Sequence, residues 1–172
     1  MTAEVTYETV AGLRAPDAAD GRALRDVYGR FPSGVVAVCA EVEGERIGMA
    51  VSSFTSVSLE PALVSVCLDR GSSTWPRLRR ARRLGVSVLG AGHAGVARQL
   101  ASRSGDRFAG LDVETADGGA VLLPGASAWF DTRVHGEVDA GDHVVVLLEV
   151  VRFGACPDEP LVFHGSAFRA LT

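Results

Sequence analysis

The sequence predicts a mainly β fold, an antiparallel barrel with a few flanking helices, from three observations. Residues 35–40 and 46–51 are apolar strand-like runs on either side of Glu43-Gly44, which is the pattern of a β-hairpin. Two further strand-like runs follow directly, in residues 48–68, separated only by Leu59-Glu60-Pro61. Later strand runs are also joined by short turns, and this spacing favours an antiparallel barrel over a βαβ sheet.

Taken in order, residues 1–19 are mixed in character, with Pro16 and Asp17 near their end, and read as a flexible arm that packs on a partner subunit. The domain then spans residues 20–172. Asp20 is placed to cap a short helix through Leu24, Val27 and Tyr28, which Phe31-Pro32-Ser33-Gly34 ends. The hairpin and the third and fourth strands follow. Helical spacing returns at residues 75–83, where Pro76 suits a first turn. The arginines there read as a solvated face with Trp75, Leu78 and Ala81 turned inward; a phosphate-binding patch is the other reading. Residues 85–89 form a strand, and Val96 and Leu100 mark a helix after it. Residues 105–124 are rich in Gly and Asp, a loop region with a short strand at residues 111–113. Residues 126–138 alternate as a strand, Ala140-Gly141-Asp142 turns the chain, and residues 143–151 are the longest apolar run, expected to be a central strand buried on both faces. Residues 161–164 and 167–168 close the chain as a strand pair.

Composition narrows the function. The 172 residues suffice for one domain with a sizeable core. No apolar run reaches the roughly 20 residues a bilayer span needs, and no signal-peptide pattern opens the chain, so the expectation is a cytoplasmic protein with no membrane partner. Cys39, Cys67 and Cys156 lie far apart in apolar runs and read as reduced core residues rather than disulfide partners or zinc ligands. Every cation is arginine, which excludes a Schiff-base lysine and the lysine of a Walker A loop. A net charge of −4 argues against nucleic acid as the main partner.

The stretch from Gly48 through Thr74 carries the chemistry. A hydroxyl stands at nearly every second position between two apolar strands, an arrangement suited to a polar heterocycle and its phosphate. Gly90-Ala91-Gly92-His93-Ala94-Gly95 matches GxGxxG between a strand and a helix, with Asp112 and Glu114 at about the offset of a ribose-binding acid. Its flanks are hairpins and consecutive strands rather than βαβαβ, so it reads as a Gly-rich turn. His93, His135, His143 and His164 have no metal-ligand spacing, and no metal is expected. His143 begins the longest strand directly after Gly141-Asp142, which sets its side chain at a barrel rim, where it can hydrogen-bond a carboxamide or assist a proton transfer. No GxSxG elbow supports a serine hydrolase.

Six motifs in order extend this reading: Arg30-Phe31-Pro32-Ser33-Gly34-Val35, the run from Gly48 to Pro61, Ser72-Ser73-Thr74, Asp106-Arg107-Phe108-Ala109-Gly110, Gly141-Asp142-His143 and His164-Gly165-Ser166-Ala167-Phe168. With them the chain resembles the short-chain flavin reductases, the reductase components of two-component flavin-dependent monooxygenases. The resemblance implies a Greek-key split β-barrel working as a homodimer. It places the isoalloxazine ring of FAD or FMN against Ala50, Val51, Ser52 and Ser53. It places the flavin phosphate on Ser72, Ser73 and Thr74 with Ser56 nearby, and the ribityl chain along Leu68 and Asp69. Ser102, Arg103 and the Asp106-Arg107-Phe108 segment close the distal end, His143 meets the nicotinamide, and Arg30, Pro32 and Ser33 shape that side. Ala50 stands where the family more often has threonine.

The activity so implied is hydride transfer from NADH, or NADPH, to a flavin that then diffuses to a partner monooxygenase. Stacked rings with reacting atoms about 3 to 3.5 Å apart suffice for that step, so the protein supplies alignment rather than a nucleophile. A split-barrel oxidase with tightly bound FMN, or a non-enzymatic flavin-binding module, is the alternative.

Overall fold

A computed structural model describes Leu13 and residues 15–171. Most of the expected N-terminal arm, residues 1–12 and 14, lies outside them; residues 15–19 are exposed.

Helix α1, Gly21–Tyr28, leads into a two-residue strand β1, Ser33–Gly34, and then the hairpin of β2, Val36–Val42, and β3, Glu45–Val51. Its turn uses positive φ at both Glu43 (55°) and Gly44 (80°), the twist that matches a two-residue hairpin. Strands β4, Thr55–Leu59, and β5, Ala62–Asp69, pair antiparallel. Helix α2 covers only Trp75–Leu78, shorter than the helical spacing predicts, and β6 is Leu84–Val88. Helix α3, Ala94–Leu100, follows a 3₁₀ turn. Two-residue strands β7, Glu114–Thr115, and β8, Val121–Leu122, pair with each other; β7 stands in place of the strand expected at 111–113. The long hairpin β9, Ala128–Ala140, and β10, His143–Ala155, is followed by β11, Val162–His164, and β12, Ala167–Arg169.

Seven strands form one antiparallel sheet in the order β3-β2-β6-β9-β10-β5-β4, and β1-β11-β12 form a smaller one. The two edges of the large sheet, β3 and β4, are consecutive in the chain and joined only by Ser52, Ser53 and Phe54. Laid flat, seven strands would hold those edges about 29 Å apart. The four Cα steps from Val51 to Thr55 span at most about 14 Å. The sheet is therefore curled until its edges nearly meet, which makes it a split barrel. Ser53 pins the seam: its hydroxyl accepts from the Cys67 amide at 2.8 Å and donates to the Cys67 carbonyl at 3.0 Å.

The barrel interior is filled from alternate positions, among them Val36, Val38, Val66, Val86, Val146 and Leu148. Trp75 and Leu78 of α2 belong to the same cluster and plug one end. The arginines of this segment are tied down: Arg77 to Glu45 at 2.6 Å, Arg80 to Glu43 at 2.5 Å and Arg79 to Glu137 at 3.4 Å. The opposite face of β2 carries a second cluster, in which Ala37 and Cys39 meet Leu100 of α3, Phe108, Val121 and Leu161. The strand buried on both faces is thus β2. The expected one, β10, fully buries only Val144, Val146 and Leu148, and the residues between them on its outer face are partly exposed.

Candidate functional site

Period-2 alternation organises the site. Along β3, Ile47, Met49 and Val51 turn into the barrel core, leaving Arg46, Gly48, Ala50 and Ser52 on the outer face. This row is about 20 Å long at the strand rise of about 3.3 Å per residue. Three cavities lie along it in sequence: one of about 420 Å³ at Arg46 and Gly48, one of about 500 Å³ at Ala50, and one of about 920 Å³ at Ser52.

The middle cavity is built by the turn after β5. Asp69 Oδ1 accepts from the Gly71 amide at 2.6 Å, and Ser72 Oγ accepts from the amides of Thr74 and Trp75 at 3.3 and 3.2 Å. These bonds hold the turn open and leave Ser73 exposed at its tip. Its amide and hydroxyl make no hydrogen bond among the described residues. Arg103 lines the same cavity, with no ion-pair partner among those residues. Uncommitted donors beside a guanidinium fit a phosphate, and the small Ala50 side chain allows a flat ring to approach the strand. The residues present therefore fit a phosphorylated heterocycle.

The large cavity takes His143, Ser33, Ser52, Tyr28 and Phe163 into its wall. His143 pairs in register with Asp69 across β10 and β5, so it stands at the rim as expected. Its Nδ1 lies 2.7 Å from Asp142 Oδ1. That hydrogen bond, and then the charge of the imidazole, hold the Asp142 carboxyl below the usual carboxylate range.

The sequence expectation singles out several residues that the fold uses otherwise. Leu68 is fully buried in the barrel core because Cys67 and Asp69 take the outer face, so its side chain does not line the cleft. Val51 likewise turns inward. Phe108 is 8 % exposed and packs under Gly48, where an added Cβ would stand 2.8 Å from its ring. The hydroxyls of Ser53 and Ser102 are engaged with backbone, that of Ser102 with both the amide and the carbonyl of Ser104. Ser56 lies on the exposed edge strand β4. Arg30 and Pro32 are exposed beside the large cavity, whose wall takes Phe31 and Ser33 instead. The remaining expected residues, Ala50, Ser52, Asp69, Ser72, Ser73, Thr74, Arg103, Ser33 and His143, do converge on the cleft.

Arg107, which the resemblance sets in the segment closing the distal end, has a more particular task in the structure. Its Nη1 donates to Gly48 O and to Thr74 Oγ1, both at 2.9 Å, and its Nε donates to Ser102 O at 2.7 Å. One guanidinium thereby ties β3, the serine turn and the loop after α3 together. An arginine inside a Gly- and Asp-rich loop carries no spacing signal that would separate it from a surface residue.

The GxGxxG segment does not present a phosphate cradle. The Gly90 amide donates to His93 Nδ1 at 3.1 Å, and a Cβ at Gly90 would meet Gly125 O at 2.7 Å. The first glycine is fixed by packing, and its amide is already used.

Residues 28–172 match the pattern of the "Flavin reductase like domain". A "Flavin reductase" of Pseudomonas putida is 43% identical over 161 residues, covering 92% of this chain and 95% of that protein. The "FMN reductase (NADH) SmoA" of Agrobacterium fabrum is 37% identical over 153 residues, 89% of this chain and 87% of its own. The solved "NADH:FAD oxidoreductase SgcE6 in complex with NAD and FAD fragments" of Streptomyces globisporus superposes with a TM-score of 0.86 at 36% identity, over 93% of this chain and 98% of that one. The chain therefore belongs to the flavin reductase-like domain family.

Proposed function

We propose that this protein is an NAD(P)H-dependent flavin reductase. The observation that carries the reading is the row Arg46, Gly48, Ala50, Ser52, which runs past a donor-rich turn at its middle to a histidine-lined cavity at its Ser52 end. Flavin and nicotinamide bound together would supply the hydride-transfer chemistry. The chain binds and aligns the two rings. Ser73 and Arg103 hold the flavin phosphate, Ala50 and Ser52 seat the ring, and Asp69 lies beside the ribityl chain. His143, steadied by Asp142, faces the nicotinamide in the cavity that Ser33 also lines. The cleft is open along its length, which suits a flavin that leaves once reduced and diffuses to a partner monooxygenase.

The domain proposed for this work is residues 20–172, acting as a homodimer. Sedimentation at micromolar concentration should give twice the mass of one chain.

The deciding experiment follows the NADH absorbance band with FAD, FMN and riboflavin added in turn. The protein should be colourless after desalting and oxidise NADH only with added flavin. A yellow preparation that oxidises a small amine or alcohol without added flavin would overturn the reading in favour of a tightly bound FMN. Absence of turnover with every flavin would overturn it in favour of a binding module.

A further inference from the structure

The turn that presents His143 is held from outside the cleft. Ala140 and His143 are paired in register, so Gly141 and Asp142 form a two-residue hairpin turn. Gly141 takes a positive φ of 64° and Asp142 does not, which is the pattern of a type II′ turn rather than type I′. The two forms differ by a rotation of the peptide between Gly141 and Asp142, which reverses the direction of the Gly141 carbonyl. The same rotation redirects the Asp142 side chain, which carries the hydrogen bond to His143 Nδ1 at 2.7 Å.

One residue fixes this peptide. Arg70, the first residue past the end of β5, donates its backbone amide to Asp142 O at 3.0 Å and its Nε to Gly141 O at 2.9 Å. Its Nη2 reaches Asp139 Oδ1 at 2.5 Å, which keeps the guanidinium stretched along the turn. Two consecutive carbonyls of the turn are thus held by one arginine. The Arg70–Asp139 pair is open to solvent, with side chains 46 % and 84 % exposed, so it adds little stability. Arg70 lines none of the three cavities along β3. It directly follows Asp69, whose carboxylate and carbonyl shape the serine turn by accepting from the Gly71 and Ser72 amides at 2.6 and 3.0 Å. The histidine turn and the serine turn are therefore joined through a single residue.

Resting on the flavin reductase reading, we infer that Arg70 is a positioning residue for hydride transfer. By holding the Gly141 carbonyl it keeps the turn in one form and keeps Asp142 on His143 Nδ1. The imidazole Nε2, which has no partner among the described residues, is then available to the cavity that His143 lines. Without the guanidinium the turn exchanges between two forms and the imidazole swings with it. A displacement of about 1 Å at a reacting centre costs up to about a hundredfold in rate, so a contact of small energetic weight has a large kinetic one.

The test is a double-mutant cycle on kcat/KM for NADH at saturating FAD or FMN in the full chain. Arg70→Ala should lower kcat/KM for NADH about tenfold, and Arg70→Lys should recover part of the loss. The KM for the flavin and the melting temperature should stay near those of the unaltered protein, because Asp69 and the Arg70 backbone amide remain in place. In the His143→Ala background Arg70→Ala should have no further effect, since Arg70 acts through the histidine. Losses that multiply, a parallel rise in the KM for flavin, or full activity of Arg70→Ala would overturn the inference. The nitrogen NMR signal of His143 Nδ1, assigned by its absence from His143→Ala, gives a readout without turnover. It should report a protonated Nδ1 in the unaltered protein and averaged tautomers in Arg70→Ala. If neither flavin is reduced, the reductase reading falls. An unchanged imidazole signal in Arg70→Ala then overturns the positioning role, and an averaged one supports it.

Discussion

At Cys39 the thiol sits on the outer face of β2, fully buried under Gly48, where an added Cβ would be 2.5 Å from its sulfur. Burial pushes its pKa up from an ordinary value of 9.0 to about 12. The unfolded chain releases this proton first, so the native state loses its advantage as pH rises from about 9 toward 12. Urea denaturation across that window should show falling stability that Cys39→Ala lacks, and thiol reagents should reach Cys39 only on unfolding. His143 belongs to this scale too. If it aligns the nicotinamide rather than serving as an essential acid, His143→Ala raises the KM for NADH or lowers kcat by about tenfold, with flavin reduction still measurable. Total loss of turnover with flavin still bound would count against that role. The Gly-Asp-His motif made this residue legible in the sequence. Arg107 was legible only as part of a segment closing the distal end, because the three partners it ties together meet only in the folded chain.

At the level of elements, alternation located the strands well and their burial poorly. The hairpin of β2 and β3 and its Glu43-Gly44 turn stand where apolar runs and turn chemistry put them. The apolar run at 143–151 is not the doubly covered strand, since among the described residues no helix packs on the outer face of β10 as α3 packs on β2. A run of Val, Leu and Glu reads the same in either setting until its neighbours are known. Helix α2 stops after four residues, where the amides of Arg80 and Ala81 turn back to the carbonyls of Arg77 and Leu78 in tighter turns. The Ser52–Phe54 crossing gives the sharpest element-level expectation. Ser53→Ala removes both bonds to Cys67 and leaves that amide and carbonyl without this partner, which should cost about 1 to 3 kcal/mol of stability by denaturant titration. Ser53→Thr, which keeps the hydroxyl, should recover part of it.

For the molecule as a whole, β2 belongs to both hydrophobic clusters, Val36 and Val38 to one and Ala37 and Cys39 to the other. Neither cluster can melt and leave the other standing. Far-ultraviolet circular dichroism and tryptophan fluorescence, which reports Trp75 in the barrel and Trp129 outside it, should therefore unfold in coincident transitions. Separate midpoints would show that the outer cluster folds by itself. Strand order, short connections and the hydroxyl-rich stretch made the barrel legible in advance. The plugging of its end and the three-cavity groove depend on curvature, which no local pattern encodes. The seam between the sheet's two edges has one more effect. Ser52 touches the ligand cleft while its neighbour Ser53 holds the barrel shut, so a change that retunes recognition there also loosens the closure. Relatives that acquire new flavin or nicotinamide preferences should therefore diversify at the turn around Ser73 and the loop around Arg107, and keep the seam nearly fixed.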